Sequence, residues 1–373
     1  MKLLGTHQLP NIKEMSAGVF AIEKPKEEAL EYMKKFIIKV LVFALILGIV
    51  FIPINVCIDP YNIFHVDNVR DNGVEPNKNY IKTKYVLDNP DKFDSFLFGS
   101  SRAGFMDVTY LSELTGERWY DMASSEALPY EHVNTLKVFI KNGIVPKSVC
   151  VLVDDISCFV DPKTHENMLY RVPYPTGGPL SFADFYIKYC DLFTTAEAIK
   201  VISGNEDPDL ETAERFRETG TERLDIETYF DPTLPQFQTG YYADYYSLRL
   251  EEAISDMEEL VNICKDNNIK LTVITNPLYY LTYERSCENG YLQFIEKLAY
   301  VTGFYNFSCL SDINKNYLNY YETSHFTPEV GRMMLEMCYS DKTDDDLRAQ
   351  GFGFFANEYN IGNLMEILNR QLQ

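Results

Sequence analysis

The first strong pattern along the chain is an unbroken apolar run. Between Lys39 and Asp59 lie nineteen uncharged residues, VLVFALILGIVFIPINVCI, and Phe36-Ile37-Ile38 lengthens the stretch toward the N-terminus. A hydrocarbon core about 30 Å thick takes roughly 20 helical residues, so the run predicts one transmembrane helix over 36–58. A cleaved secretory segment has a shorter apolar region, about 7–15 residues, and ends in a small-residue site. This run instead ends in Pro53-Ile54-Asn55. Lys24, Lys26, Lys34, Lys35 and Lys39 precede it, whereas Asp59 and Asp67 follow it. Positive charge stays cytoplasmic. The expectation is a cytoplasmic tail of residues 1–35, a signal-anchor in the cell membrane, and an extracytoplasmic main domain.

Residues 59–92 are rich in Asn, Asp, Pro and Lys without periodicity, and read as a linker. Beyond them, short apolar segments alternate with helical periodicities. Strands are predicted at 93–98, 118–122, 148–153, 270–274 and 304–307. Helices are predicted at 130–142, where Val133, Leu136, Val138, Phe139 and Ile140 share a face, and at about 246–267 and 289–301. Another is opened by Thr327 as N-cap and Pro328 in the first turn, and runs to about 339. Residues 160–245 break this rhythm with Pro- and Tyr-rich stretches, and read as an irregular insertion. A C-terminal extension, 346–373, carries an amphipathic helix at about 359–371 that is expected to pack on the domain.

Strands alternating with helices imply an α/β domain over 93–345, a parallel sheet with helices on both faces. Ligand sites in such sheets lie outside the carboxyl ends of the strands. That rule selects Gly99–Arg102, Asp121–Ser125, Asp154–Ser157, Thr275–Pro277 and the 308–325 loop.

Charge and cysteines narrow the function classes. The formal net charge is −21, which argues against phosphate-backbone contacts and hence against nucleic-acid partners. The eight cysteines, at 57, 150, 158, 190, 264, 287, 309 and 338, contain no CxxC pair. Cys57 falls in the apolar run, and the remaining seven cannot all pair within the chain. No zinc-ligand spacing occurs, so neither a metal nor another cofactor is expected.

Two motifs carry chemistry. Gly99-Ser100-Ser101-Arg102 follows the first predicted strand, which puts a serine hydroxyl at the sheet's upper edge beside amides that open the next helix. Read alone, it is an ordinary polar turn. Near the C-terminal end stands Glu322-Thr323-Ser324-His325. A serine needs a base to take its proton, and the base needs an orienting carboxylate. A carboxylate three residues before His on a strand-end loop can reach Nδ1. Alternatively, His325 only caps the final helix and Glu322 is solvated.

In this order the two motifs resemble the SGNH/GDSL hydrolase-like family, and more narrowly its membrane-anchored extracytoplasmic members. Those are similar to the alginate O-acetylation proteins and the teichoic-acid D-alanyl transfer protein. The resemblance covers about 93–340, interrupted at 160–245. It implies a three-layer, flavodoxin-like domain and a serine acyltransferase or esterase acting on O-acyl groups of a cell-surface glycopolymer. An integral-membrane acyl-transfer protein is an implied partner, beside the lipid bilayer itself. Carried over, Ser101 is the nucleophile, with Ser100 in place of the family's Asp; His325 is the base and Glu322 the orienting acid.

Three departures accompany it: Glu instead of Asp as the acid, Ala123-Ser124-Ser125 where a glycine is usual, and Asp154-Asp155-Ile156-Ser157 where a Gly-x-Asn-Asp is usual. Ser100, Arg102, Ser124, Asp154 and Asn276 are therefore the candidates for oxyanion or substrate contact. Arg102 can contact an anionic polymer or pair with a carboxylate to fix its loop, and the second reading is preferred. His132, at a helix start, reads as a surface or capping residue. The dense tyrosines of 229–246 are read as core packing before sugar stacking. The missing donors motivate a rival from another class: a catalytically inactive SGNH-like binding or scaffolding subunit of a polymer-modification complex.

Overall fold

The computed structural model describes residues 27–204, 210–221, 231–234, 238 and 248–373. The chain divides into two units, Met1–Pro53 and Ile54–Gln373. In the first, the described residues are helix. Helix α1, Glu27–Ile58, continues into the second unit, and its Ala29–Ile58 stretch has a mean hydropathy of 2.9. That stretch is long and apolar enough to cross a membrane.

The second unit is built on a six-stranded sheet. Its strands are β1 (Ser95–Phe98), β2 (Trp119–Asp121), β3 (Ser148–Val153), β4 (Lys270–Thr275), β5 (Phe304–Asn306) and β6 (Phe354–Ala356). In space they run β2-β1-β3-β4-β5-β6, the first five parallel and β6 antiparallel to β5. All five predicted strands are present within a residue or two. β6 is an addition that the sequence pattern does not announce. Every residue of β1 and β3 is buried, as expected of parallel strands covered on both faces.

Between strands lie α3 (Val108–Thr115), α4 (Pro129–Lys141), α8 (Leu250–Asp266), α9 (Tyr280–Glu288) and α10 (Tyr291–Val301). After β5 come α11 (Asp312–Lys315), α12 (Pro328–Tyr339), α13 (Asp345–Ala349) and α14 (Ile361–Gln371). Helix α8 packs on both α4 and α10, while α3 packs on α12. Pro328 occupies the first turn of α12 as predicted, although the Thr327 side chain makes no capping hydrogen bond. α14 buries Ile361, Leu364 and Leu368 and packs against α10.

The chain leaves β1 toward β2 and then returns past it to β3. The carboxyl ends of β1 and β3 thus flank the point where the direction of winding reverses. Gly99 makes the tight exit from β1 feasible. A Cβ there would lie 2.5 Å from that of Ala103 and 3.2 Å from that of Leu152.

The reading of 59–92 as a linker is corrected by the structure. Helix α2, Lys78–Asp88, lies within it, and Ile63, Val66, Tyr80, Ile81, Tyr85 and Val86 belong to the main core. Asn77 caps α2 through the amide of Tyr80, and its side-chain amide donates to Val172 O at 2.8 Å and to the Tyr189 hydroxyl at 2.6 Å. Between β3 and β4 the described residues include three further helices: α5 (Pro179–Lys188), α6 (Leu192–Gly204) and α7 (Leu210–Glu218). Most of the tyrosine-rich 229–246 stretch lies outside the described residues.

Candidate active site

After Gly99, residues Ser101–Phe105 form a short 3-10 turn that lifts Ser101 to the surface of the sheet's carboxyl edge. More than two hundred positions later, the chain between β5 and α12 doubles back on itself. Tyr320 bridges to Phe326, and the Tyr321 amide donates to His325 O at 2.9 Å. Thr282 of α9 ties down the same loop by donating to Thr323 O at 2.5 Å. This brings His325 Nε2 to 2.9 Å from Ser101 Oγ.

On the other side of the ring, His325 Nδ1 lies 2.5 Å from Glu322 Oε1. The same carboxylate accepts the backbone amides of Ser324 at 2.8 Å and His325 at 2.7 Å. Glu322 therefore holds both the loop and the ring, and its extra methylene is absorbed by the curl of 322–325. With Nδ1–H donated to a carboxylate, Nε2 presents its lone pair to the serine hydroxyl. Phe105 packs at 5.3 Å from the imidazole centroid and limits its swing. Ser101, His325 and Glu322 are all half-buried, partly open to solvent yet held in place.

The other candidates are placed differently. Ser100, Arg102, Asp154 and Asn276 do not line the cleft; they form a buried network beneath it. Arg102 Nη1 pairs with Asp154 Oδ1, Nε donates to Ser324 O at 2.7 Å, and Nη2 donates to Ser324 Oγ at 2.7 Å. Asp154 also accepts the Ser100 hydroxyl, Asn276 Nδ2 at 2.8 Å and the Asp155 amide at 2.8 Å. Asp154 thus joins the loops after β1, β3 and β4, and Arg102 carries the link on to the His325 loop. Burial alone would lower the Arg102 pKa, but Asp154 and Asp155 more than offset it and hold the guanidinium charged. Burial likewise opposes ionisation of Asp154, and Arg102, Ser100 and Asn276 overcome this and keep its pKa below the ordinary value. Arg102 thus follows the loop-fixing reading.

Ser124 is also buried, and its hydroxyl donates to Asn79 Oδ1 at 2.7 Å. Its amide goes to Gly99 O at 3.2 Å. The amides of Arg102 and Ala103 are spent on Ser100, at 3.3 and 3.0 Å, rather than turned toward the cleft. Asp154, Asp155 and Cys158 offer ligand atoms within 4.8 Å of one another. Burial first, then the two carboxylates, push the Cys158 thiol well up. The charge that neutralises the carboxylates is that of Arg102.

The cleft itself comes from segments that sequence reasoning passed over. A cavity of about 390 Å³ opens beside Ser101. Its apolar wall includes Val69, Val74, Ile81, Phe105 and Phe216. Its polar wall carries both signs of charge, with Arg70, Lys78 and Lys82 beside Asp71 and Glu75. Lys82 is held by the Ala123 carbonyl at 2.7 Å, and Lys78 by Glu75 at 2.6 Å. Lys78 and Lys82 lie one helical turn apart in α2, the only signal that could have marked this wall.

His132 corrects the surface or capping reading, because it is buried in α4 with its ring 5.5 Å from that of Phe98. Loss of hydration is the main cause that lowers its pKa from 6.5 to about 4, while Asp154 pulls weakly the other way. Between those values the unfolded chain binds a proton that the folded chain refuses, so stability falls as pH drops from 6.5 and levels off below 4. The shift corresponds to roughly 3 kcal/mol. His132→Phe is expected to flatten that part of the stability–pH curve measured by urea unfolding; an unchanged slope would refute the assignment.

No protein-family model matches the chain and no curated protein matches it, so the reading of this site rests on its own geometry.

Proposed function

We propose that the outer domain is a serine O-acyltransferase or esterase of the SGNH type, acting on O-acyl groups of a cell-surface glycopolymer. One observation carries the reading: Ser101 Oγ, His325 Nε2, His325 Nδ1 and Glu322 Oε1 follow one another at 2.9 and 2.5 Å. Two sets of helices around a mainly parallel sheet suit a three-layer SGNH-like domain in which 160–245 is an insertion. In this mechanism Ser101 Oγ attacks the acyl carbonyl carbon and its proton passes to His325 Nε2. The tetrahedral intermediate collapses, the ester C–O bond breaks, and the imidazolium returns the proton to the leaving oxygen. Water or a sugar hydroxyl then attacks the acyl-serine by the same proton path and regenerates Ser101. Glu322 fixes the ring and stabilises its charged form. The apolar wall beside Ser101 suits the acyl chain, and the polar wall, which carries both signs of charge, suits a hydroxyl-rich acceptor. Turnover of p-nitrophenyl acetate by the full-length protein, compared with Ser101→Ala, tests the proposal; equal rates would sink it.

The anchor orients this chemistry. With the lysines up to Lys39, which precede the uncharged run, on the cytoplasmic side, the catalytic domain lies outside, beside an integral-membrane acyl-transfer protein. Protease added to intact cells is expected to digest the domain from residue 59 onward, and complete protection would reverse the orientation.

A further inference from the structure

Helices α5 and α6 carry their apolar residues outward. On α6, Leu192, Phe193, Ala196, Ile199 and Ile202 are all exposed, at spacings of three and four residues that form one stripe. On α5, Leu180, Ala183 and Ile187 do the same. Leu180 is 85% exposed and Phe193 81%. Isolated apolar residues are ordinary on a soluble surface, but stripes on two consecutive helices are not.

The junction of these helices is fastened to the end of the apolar helix α1. Asn55, fully buried in the last turn of α1, donates Nδ2 to Tyr189 O at 3.1 Å and to Asp191 O at 2.9 Å. Its Oδ1 accepts the Thr195 hydroxyl at 2.8 Å. The α5–α6 junction is thus bound to the chain three residues before the apolar stretch Ala29–Ile58 ends. A bilayer crossed by that stretch would end within a few residues of Asn55, to which the junction is bound.

We propose that α5 and α6 dip their apolar stripes into the interfacial layer of the lipid bilayer, giving the domain a second membrane contact that holds it against the surface. An apolar helix face immersed beside a membrane span gains the burial that water denies it. Charge points to apolar insertion over headgroup attraction. Lys188 lies 3.8 Å from Asp184 and Lys200 lies 2.6 Å from Glu197, so each lysine is offset on its own helix. Neutral lipid is therefore sufficient. The inference rests on α1 as an anchor and not on the chemistry of Ser101.

The test is a single introduced indole, since the native chain has one Trp and Trp119 is buried. Full-length Phe193→Trp is reconstituted into phosphatidylcholine vesicles with and without brominated acyl chains. Tyr359→Trp, at a position 89% exposed, serves as the solvent control. The added indole at 193 is expected to emit to the blue and lose roughly half its intensity to bromine, because an interfacial helix face sits about 5–10 Å deep; the indole at 359 is expected to stay unquenched. Matching unquenched emission at both positions would overturn the inference. So would shielding of position 193 in native membranes but not in pure lipid, which would assign the stripes to a membrane protein. Flotation of the vesicles checks the anchor separately, and a chain that fails to float removes the inference while leaving the serine mechanism standing.

Discussion

Ser101→Ala and His325→Ala each lower p-nitrophenyl acetate turnover by a factor of about 10³ or more, and the double variant is no slower than either alone. The loss is shared because neither group acts without the other. A serine hydroxyl is a weak nucleophile until Nε2, 2.9 Å away, takes its proton. An imidazole with no hydroxyl to deprotonate contributes little. Ser101 is half-buried and its truncation opens no core cavity, so the variant keeps its thermal midpoint. Additive losses in the double variant would mean that the two side chains work in separate steps and would dismantle the triad.

The second large effect is on stability. Arg102→Met is expected to destabilise the domain by about 3–5 kcal/mol, the cost of stranding a buried carboxylate without its cation. Asp154 and Asp155 lie beneath the site with almost no exposure, and the Arg102 guanidinium is the positive group against both. Arg102→Met combined with Asp154→Asn should recover part of the loss. The pH dependence follows from Asp154, whose pKa is lowered in the fold. Its contribution is present above the ordinary carboxylate value and is lost as pH falls through the folded value. Denaturant unfolding with circular dichroism checks both variants. A midpoint unchanged in Arg102→Met would show that the network does not hold the loops together.

What could be read from the chain divides along physical lines. β3, with the run Ser148–Val153 buried throughout, is legible because a covered parallel strand is a continuous apolar block. Ser101 and His325 are legible because a serine at a strand end and an acid-x-x-His loop keep their order whatever lies between. α2 was not. Seven of its eleven residues are buried, and the polar Lys78, Lys82 and Thr83 are among them beside Tyr80 and Ile81. A helix whose polar groups are satisfied inside the protein leaves no 3.6-residue contrast to find. Its polarity suggested a linker, and with it the wall of the cleft was missed. β6 is three residues long, too short for any period to register. The roles of Ser100, Asp154 and Asn276 were misplaced for a related reason: a strand end identifies where a side chain starts, while only the packed loops decide whether it faces the cleft or the interior.

The most direct measurement is covalent labelling of the full-length protein with a fluorophosphonate, read by peptide mass spectrometry. The proposed mechanism predicts a single adduct on Ser101, lost in Ser101→Ala and strongly slowed in His325→Ala. A folded wild-type protein that stays unlabelled, or is labelled equally when His325 is removed, would contradict it and leave the domain a binding or scaffolding subunit.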